Sequence, residues 1–167
     1  MGLDMYLSAR KYVSQVDYTR DEQGQMQRVE LPLYKEVLKF FPDGAGQYAD
    51  SSGAYVELTI GYWRKANHIH KWFVDHTQGG KDECETSYVS KEQLQDLRVL
   101  CQMVLDEPSK ASELLPSESG FFFGNTEYDE WYMGATEHTI KVLDNALRIM
   151  EEEPDKWGLD ISYRASW

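Results

Sequence analysis

The chain has 167 residues, about one domain's worth, a size at which folding buries roughly 70% of the surface exposed by the extended chain. With 41% hydrophobic and 13% aromatic residues the composition is that of a folded core, which excludes a disordered tail. The 29 acidic residues outnumber the 17 basic ones, and the formal net charge of -12 sets up a field that repels phosphate backbones and excludes direct nucleic-acid binding as a first expectation.

Leu3, Met5 and Leu7 alternate with Asp4, Tyr6 and Ser8, a period of two that predicts a half-buried strand reaching to Val13. Residues 17–27 are polar around Gly24 and read as a hairpin tip or loop. Leu33, Val37, Phe40 and Phe41 then fit a short helix ended by Pro42. Residues 43–53, rich in Gly, Ser and Asp, are expected to form a loop. Val56, Leu58 and Ile60 alternate with Glu57 and Thr59 as a strand.

At Gly61 the period is read as changing, because Tyr62, Ala66, Ile69 and Phe73 fall at i, i+4, i+7 and i+11 of a helix stopped by Gly79-Gly80. Residues 84–89 read as a short strand. Ser90 followed by Gln93 forms a capping box for a helix with Leu94, Leu97, Cys101, Val104 and Leu105 on its apolar face. A loop over 108–119 leads to Phe121-Phe122-Phe123, read as a short buried strand. A long helix over 128–152, with Gly134 as its candidate bend point, and an alternating last strand at Leu159, Ile161 and Tyr163 complete the chain. The sum is one α+β domain spanning residues 1–167, a mixed or mostly antiparallel sheet of four to five strands with three main helices.

The first residues carry no basic stretch followed by an apolar run, and no apolar run approaches the roughly 18 residues of a membrane span. Cys84 and Cys101 are too few for a disulfide framework and suit free thiols in a reducing compartment. The expectation is a cytoplasmic protein with no membrane partner.

Residues 61–76 hold the densest mix of aromatic and polar side chains. On the expected helix, Trp63, Asn67, His70 and Val74 form a shoulder beside the core stripe, with Arg64, His68, Lys71 and Asp75 on the other side. Asn67 and His70 therefore border the core, where an unpartnered polar group costs about 1–3 kcal/mol. Two readings are open. They point into a pocket with Trp63 as a stacking wall and Arg64 or Lys71 pairing an anion, or they close a buried network.

His68 and His70 are two residues apart, about 200° around a helix, so they cannot share a metal ion, and no zinc spacing is completed by Asp82 or Cys84. Cys84 lies among Asp82, Glu83 and Glu85, whose charge raises a thiol pKa and argues against a thiolate nucleophile based on His70. At residues 120–131, three phenylalanines between glycines meet a polar run, a strand-to-helix junction where Phe122, Tyr128 and Asp129 could face the first group. Glu127, Asp129 and Glu130 are read as offsetting the helix dipole.

The segments Met1-Gly2-Leu3-Asp4-Met5-Tyr6-Leu7, Gly61-Tyr62-Trp63-Arg64-Lys65-Ala66-Asn67, Ile69-His70-Lys71-Trp72-Phe73-Val74 and Ser119-Gly120-Phe121-Phe122-Phe123-Gly124, with Tyr128-Asp129 and Ser166-Trp167, carry a resemblance. The chain resembles a family of bacterial and bacteriophage proteins to which no activity is assigned. The resemblance implies a bacterial cytoplasm, an infected host included, with counter-defence as one theme, and it transfers no catalytic residue.

The leading expectation is a non-catalytic protein that binds a small polar ligand, anionic or nucleotide-like, through Trp63, Arg64, Asn67, His70 and Lys71 facing Phe122, Tyr128 and Asp129. No cofactor, metal or catalytic residue is expected. The alternatives are an acidic inhibitor that mimics nucleic acid towards a basic protein surface, and a hydrolase or transferase using His70.

Overall fold

The computed structural model describes residues 2–41, 53–152 and 159–167. The loop expected over 43–53 lies outside them but for Gly53, as does Pro42. The fold is α+β. Its strands are β1 (Asp4–Ser14), β2 (Val16–Arg20), β3 (Met26–Glu30), β4 (Gly53–Arg64), β5 (Ser87–Tyr88) and β6 (Leu159–Ser166). A four-stranded antiparallel sheet has the order β4-β1-β6-β5, and β2 pairs with β3 in a separate two-stranded sheet. Five helices are described: α1 (Pro32–Leu38), α2 (Asn67–Thr77), α3 (Lys91–Asp106), α4 (Ala111–Leu114) and α5 (Glu130–Glu152). Three of these are long, as the apolar periodicities predict.

The chain divides into two compact units, residues 10–57 and the remainder. In the smaller unit the β2–β3 hairpin turns on Asp21, whose carboxylate accepts from the Gln23 and Gln25 amides, with Gly24 at φ +79 supplying the left-handed residue. The Arg10 guanidinium lies 3.7 Å over the Tyr55 ring, and Tyr12 packs on the same ring.

The larger unit holds the main core. Leu3, Met5 and Leu7 from the start of the chain, and Ile161, Tyr163 and Ala165 from β6, alternate onto one buried sheet face. Gly61 is where α5 crosses β4: a Cβ there would sit 2.3 Å from Val142 Cγ1, so glycine permits the approach. The capping box at α3 is complete, Ser90 Oγ accepting from the Gln93 amide and Gln93 Oε1 from the Ser90 amide. Gln93 Nε2 also donates to His76 O, fastening the start of α3 to the end of α2.

Two local expectations are corrected. The strand β4 runs on through Arg64, with Gly61 and Trp63 buried and Tyr62 and Arg64 exposed, while residues 55–59 are exposed at every position, so Val56 and Leu58 form no buried face. The helix starts only at Asn67, after Lys65 takes a positive φ of 57. Phe121-Phe122-Phe123 is a turn, not a strand. Phe123 N donates to Gly120 O, Gly124 sits at φ +90, and Phe121 is 95% exposed.

Helix α2 is buried nearly all round, and this places His68 in the core instead of on a solvent face. Its ring stacks on Tyr132 at 3.9 Å. The Thr136 hydroxyl already donates to Tyr132 O, so His68 Nε2–H donates to Thr136 Oγ1 at 3.1 Å. Burial pushes the His68 pKa down from 6.5 to about 3. The unfolded chain takes up this proton and the native state does not, so stability falls as pH drops from 6.5 towards 3, with a slope of up to about 1.4 kcal/mol per pH unit. Urea titrations from pH 7 to pH 4 are expected to show a shallower acid loss for His68→Phe than for the parent chain. Equal acid limbs would refute the assignment.

Candidate functional site

Asn67 opens α2, and its amide is fully used. Nδ2 donates to Phe123 O at 3.1 Å and to Asn125 O at 2.7 Å, and Oδ1 accepts from the Glu118 amide at 3.3 Å. These bonds hold the 118–125 loop. Leu3 N adds a bond to Phe122 O, and Gly120 allows the Phe123 ring to fold over it, a Cβ there falling 2.6 Å from that ring. Asn67 is thus a clamp held by protein partners, and it borders a crevice of 10 Å³.

One turn along, His70 is 1% exposed and sits between two partners. Its Nδ1 is 2.7 Å from Tyr163 Oη and its Nε2 is 2.8 Å from Asp82 Oδ2. Burial, followed by the charge of Asp82, raises the Tyr163 pKa well above 10, so the phenol keeps its proton. Nε2 faces a carboxylate oxygen, which can only accept, so it carries a hydrogen and donates to Asp82. Trp167 Nε1–H donates to the other oxygen of that carboxylate at 3.1 Å, and the Phe123 ring meets both His70 and Trp167 edge-on.

Above this network lies a hollow of 420 Å³, bounded by His70, Lys71, Val74 and Asp75 of α2, by Gly80 and Asp82, by residues 118–123, and by Trp167. Lys71 Nζ is 3.0 Å from Asp75 and 3.4 Å from Glu118, and the hydrogen bond to Asp75 raises its pKa.

The eight residues expected to share one site fall on separate surfaces. His70, Lys71 and Phe122 line this hollow. Trp63 and Arg64, being the end of β4, line an apolar cleft of 430 Å³ with Tyr62, Trp131 and His138, where the Trp63 indole N–H donates to Thr139. Tyr128 and Asp129 border a shallow hollow against α5. Asp129 is the N-cap of α5: its carboxylate accepts from the Tyr132 amide at 3.0 Å, which lowers its pKa, so it caps the helix at the end where negative charge also offsets the dipole. His68 and His70 diverge, to Thr136 and to Asp82. Among the described residues no group of three or more His, Cys, Asp or Glu side chains is placed to hold a metal ion.

Asp82, Glu118, Tyr163 and Trp167 were not singled out for the site from sequence. A signal existed for one pair: Tyr163 and His70 both fall on buried faces with polar atoms that need a partner, and each is the other's. Comparison with known proteins finds no matching family model, curated protein or solved structure.

Asn67→Ala leaves two loop carbonyls and the Glu118 amide without their partner. The expected loss is about 2 kcal/mol of stability, tempered by water reaching the loop, with faster hydrogen exchange at the Glu118 amide. Unchanged exchange there would show that the clamp does not hold the loop.

Proposed function

We propose that this chain is a non-catalytic binding protein that takes a small polar ligand in the hollow over His70, Asp82 and Trp167. One observation carries the reading: a concavity of ligand size whose floor is a hydrogen-bonded network with every polar group already oriented. Such a floor needs no rearrangement on binding, which lowers the cost of association. Both ring nitrogens of His70 are engaged and the ring is buried, which favours an orienting role over that of a general base.

The ligand reading is also favoured over mimicry of nucleic acid. Every lysine and arginine of α3 and α5 is paired with a carboxylate: Lys91 with Glu151, Arg98 with Asp144, Lys141 with Glu137, Arg148 with Glu152. Those faces carry both signs. No helix among the described residues is long and apolar enough to cross a membrane. With the resemblance to bacterial and phage proteins, the setting proposed is a bacterial cytoplasm, and ligand capture in counter-defence is a use that fits it.

A metabolite and nucleotide panel at millimolar concentration tests the reading by thermal shift and by the Trp167 indole N–H resonance. A ligand at a hundred times its Kd adds about 2.7 kcal/mol. The expected result is a class of compounds that raises Tm and moves the Trp167 signal, with both effects lost in Ser119→Trp, which fills the hollow from an exposed position. A silent panel would refute it.

A further inference from the structure

Resting on the binding role proposed for this hollow, we infer that its ligand is an organic cation, an ammonium ion with an apolar body, and not the anion that the basic residues of 61–76 lead one to expect. Among the described residues the walls carry three carboxylates, Asp75, Asp82 and Glu118, against a single ammonium, that of Lys71. That ammonium already lies between two of the carboxylates, at 3.0 and 3.4 Å, so it has little charge to offer an incoming anion. Arg64, the other base expected at the site, lines a different cleft.

Asp82 is the carboxylate left for the ligand. Its described partners are the Trp167 indole and the Nε2–H of His70, and no lysine or arginine among the described residues pairs with it. His70 donates to one oxygen of this carboxylate and the Trp167 indole to the other, so two donors fix its orientation at the wall of the hollow. A cation entering the hollow meets that charge and the aromatic residues Phe121, Phe122, Phe123 and Trp167. Phe121, 95% exposed and edge-on to Phe122, stands at the mouth, where an apolar body would cover it. An anion in the same place would face a net negative wall.

The test uses the full chain and four probes: choline, its uncharged carbon isostere dimethylbutanol, phenylethylammonium and inorganic phosphate. Binding is read from the Trp167 indole N–H resonance. Choline and phenylethylammonium are expected to shift that signal saturably and more weakly as salt rises, with dimethylbutanol bound about tenfold less tightly. Asp82→Asn and Glu118→Gln are each expected to weaken ammonium binding about tenfold. Glu118 is half-exposed, so the second variant keeps the test open should the first disturb the His70 network. Amide dispersion in the NMR spectrum checks that both fold. Equal binding of dimethylbutanol, or binding of phosphate at the Trp167 signal with both ammonium ions silent, overturns the inference on charge and leaves the binding role standing. Silence from both ammonium ions overturns the inference even where the metabolite panel responds, and a silent panel beside it overturns the binding role as well.

Discussion

The architecture of the larger unit depends on three polar side chains in the buried first turn of α2. Asn67, His68 and His70 are each 1–3% exposed, so each must find its hydrogen bonds inside the protein or lose about 1–3 kcal/mol. They project in three directions from one turn of helix. Asn67 binds the 118–125 loop, His68 binds α5 through Thr136 and Tyr132, and His70 binds β6 through Tyr163 and the connection after α2 through Asp82. Apolar side chains in these positions would pack α2 as well, but without fixing which loop carbonyl or strand position it meets.

The hollow follows from this arrangement. Asn67 holds the 118–125 loop on one side of α2, and His70 holds Asp82 on the other, so the space between is bounded by segments with little regular structure of their own. Trp167 closes the end through its bond to Asp82 and its edge-on contact with Phe123. Positions on such a floor are set by buried bonds, and positions at the mouth, such as Phe121, by none of those bonds. A rigid base with an adaptable rim is a sound arrangement for holding a small molecule.

Much of the fold was legible because alternation and capping are local. The period of two in β1 and β6, and the Ser90–Gln93 box of α3, need only neighbouring residues to be recognised. The start of α2 was not legible for a specific reason. Ala66, Ile69 and Phe73 do lie on its buried face, and Tyr62 extends their spacing by coincidence while standing on a strand at 44% exposure. The break is made by Lys65 in the left-handed region, a conformation that its identity does not announce. The three phenylalanines misled in the opposite way: hydrophobicity reads as strand, but glycines on both sides fold the run into a turn that leaves its first ring in solvent.

The candidate site was half legible, and the missing half carries its sign. His70 and Lys71 lie on one helix, so their proximity follows from sequence. The carboxylates that face them come from Asp82 and Glu118, which are 12 and 48 positions away from His70 and sit in connections with no periodicity to read. Local sequence around 61–76 is rich in Arg64, Lys65 and Lys71 and therefore reads as basic. Folding moves two of these bases elsewhere and surrounds the third with acids. A pocket's charge is thus a property of the tertiary contacts, and the same helix could floor a site of either sign depending on what its loops bring to it.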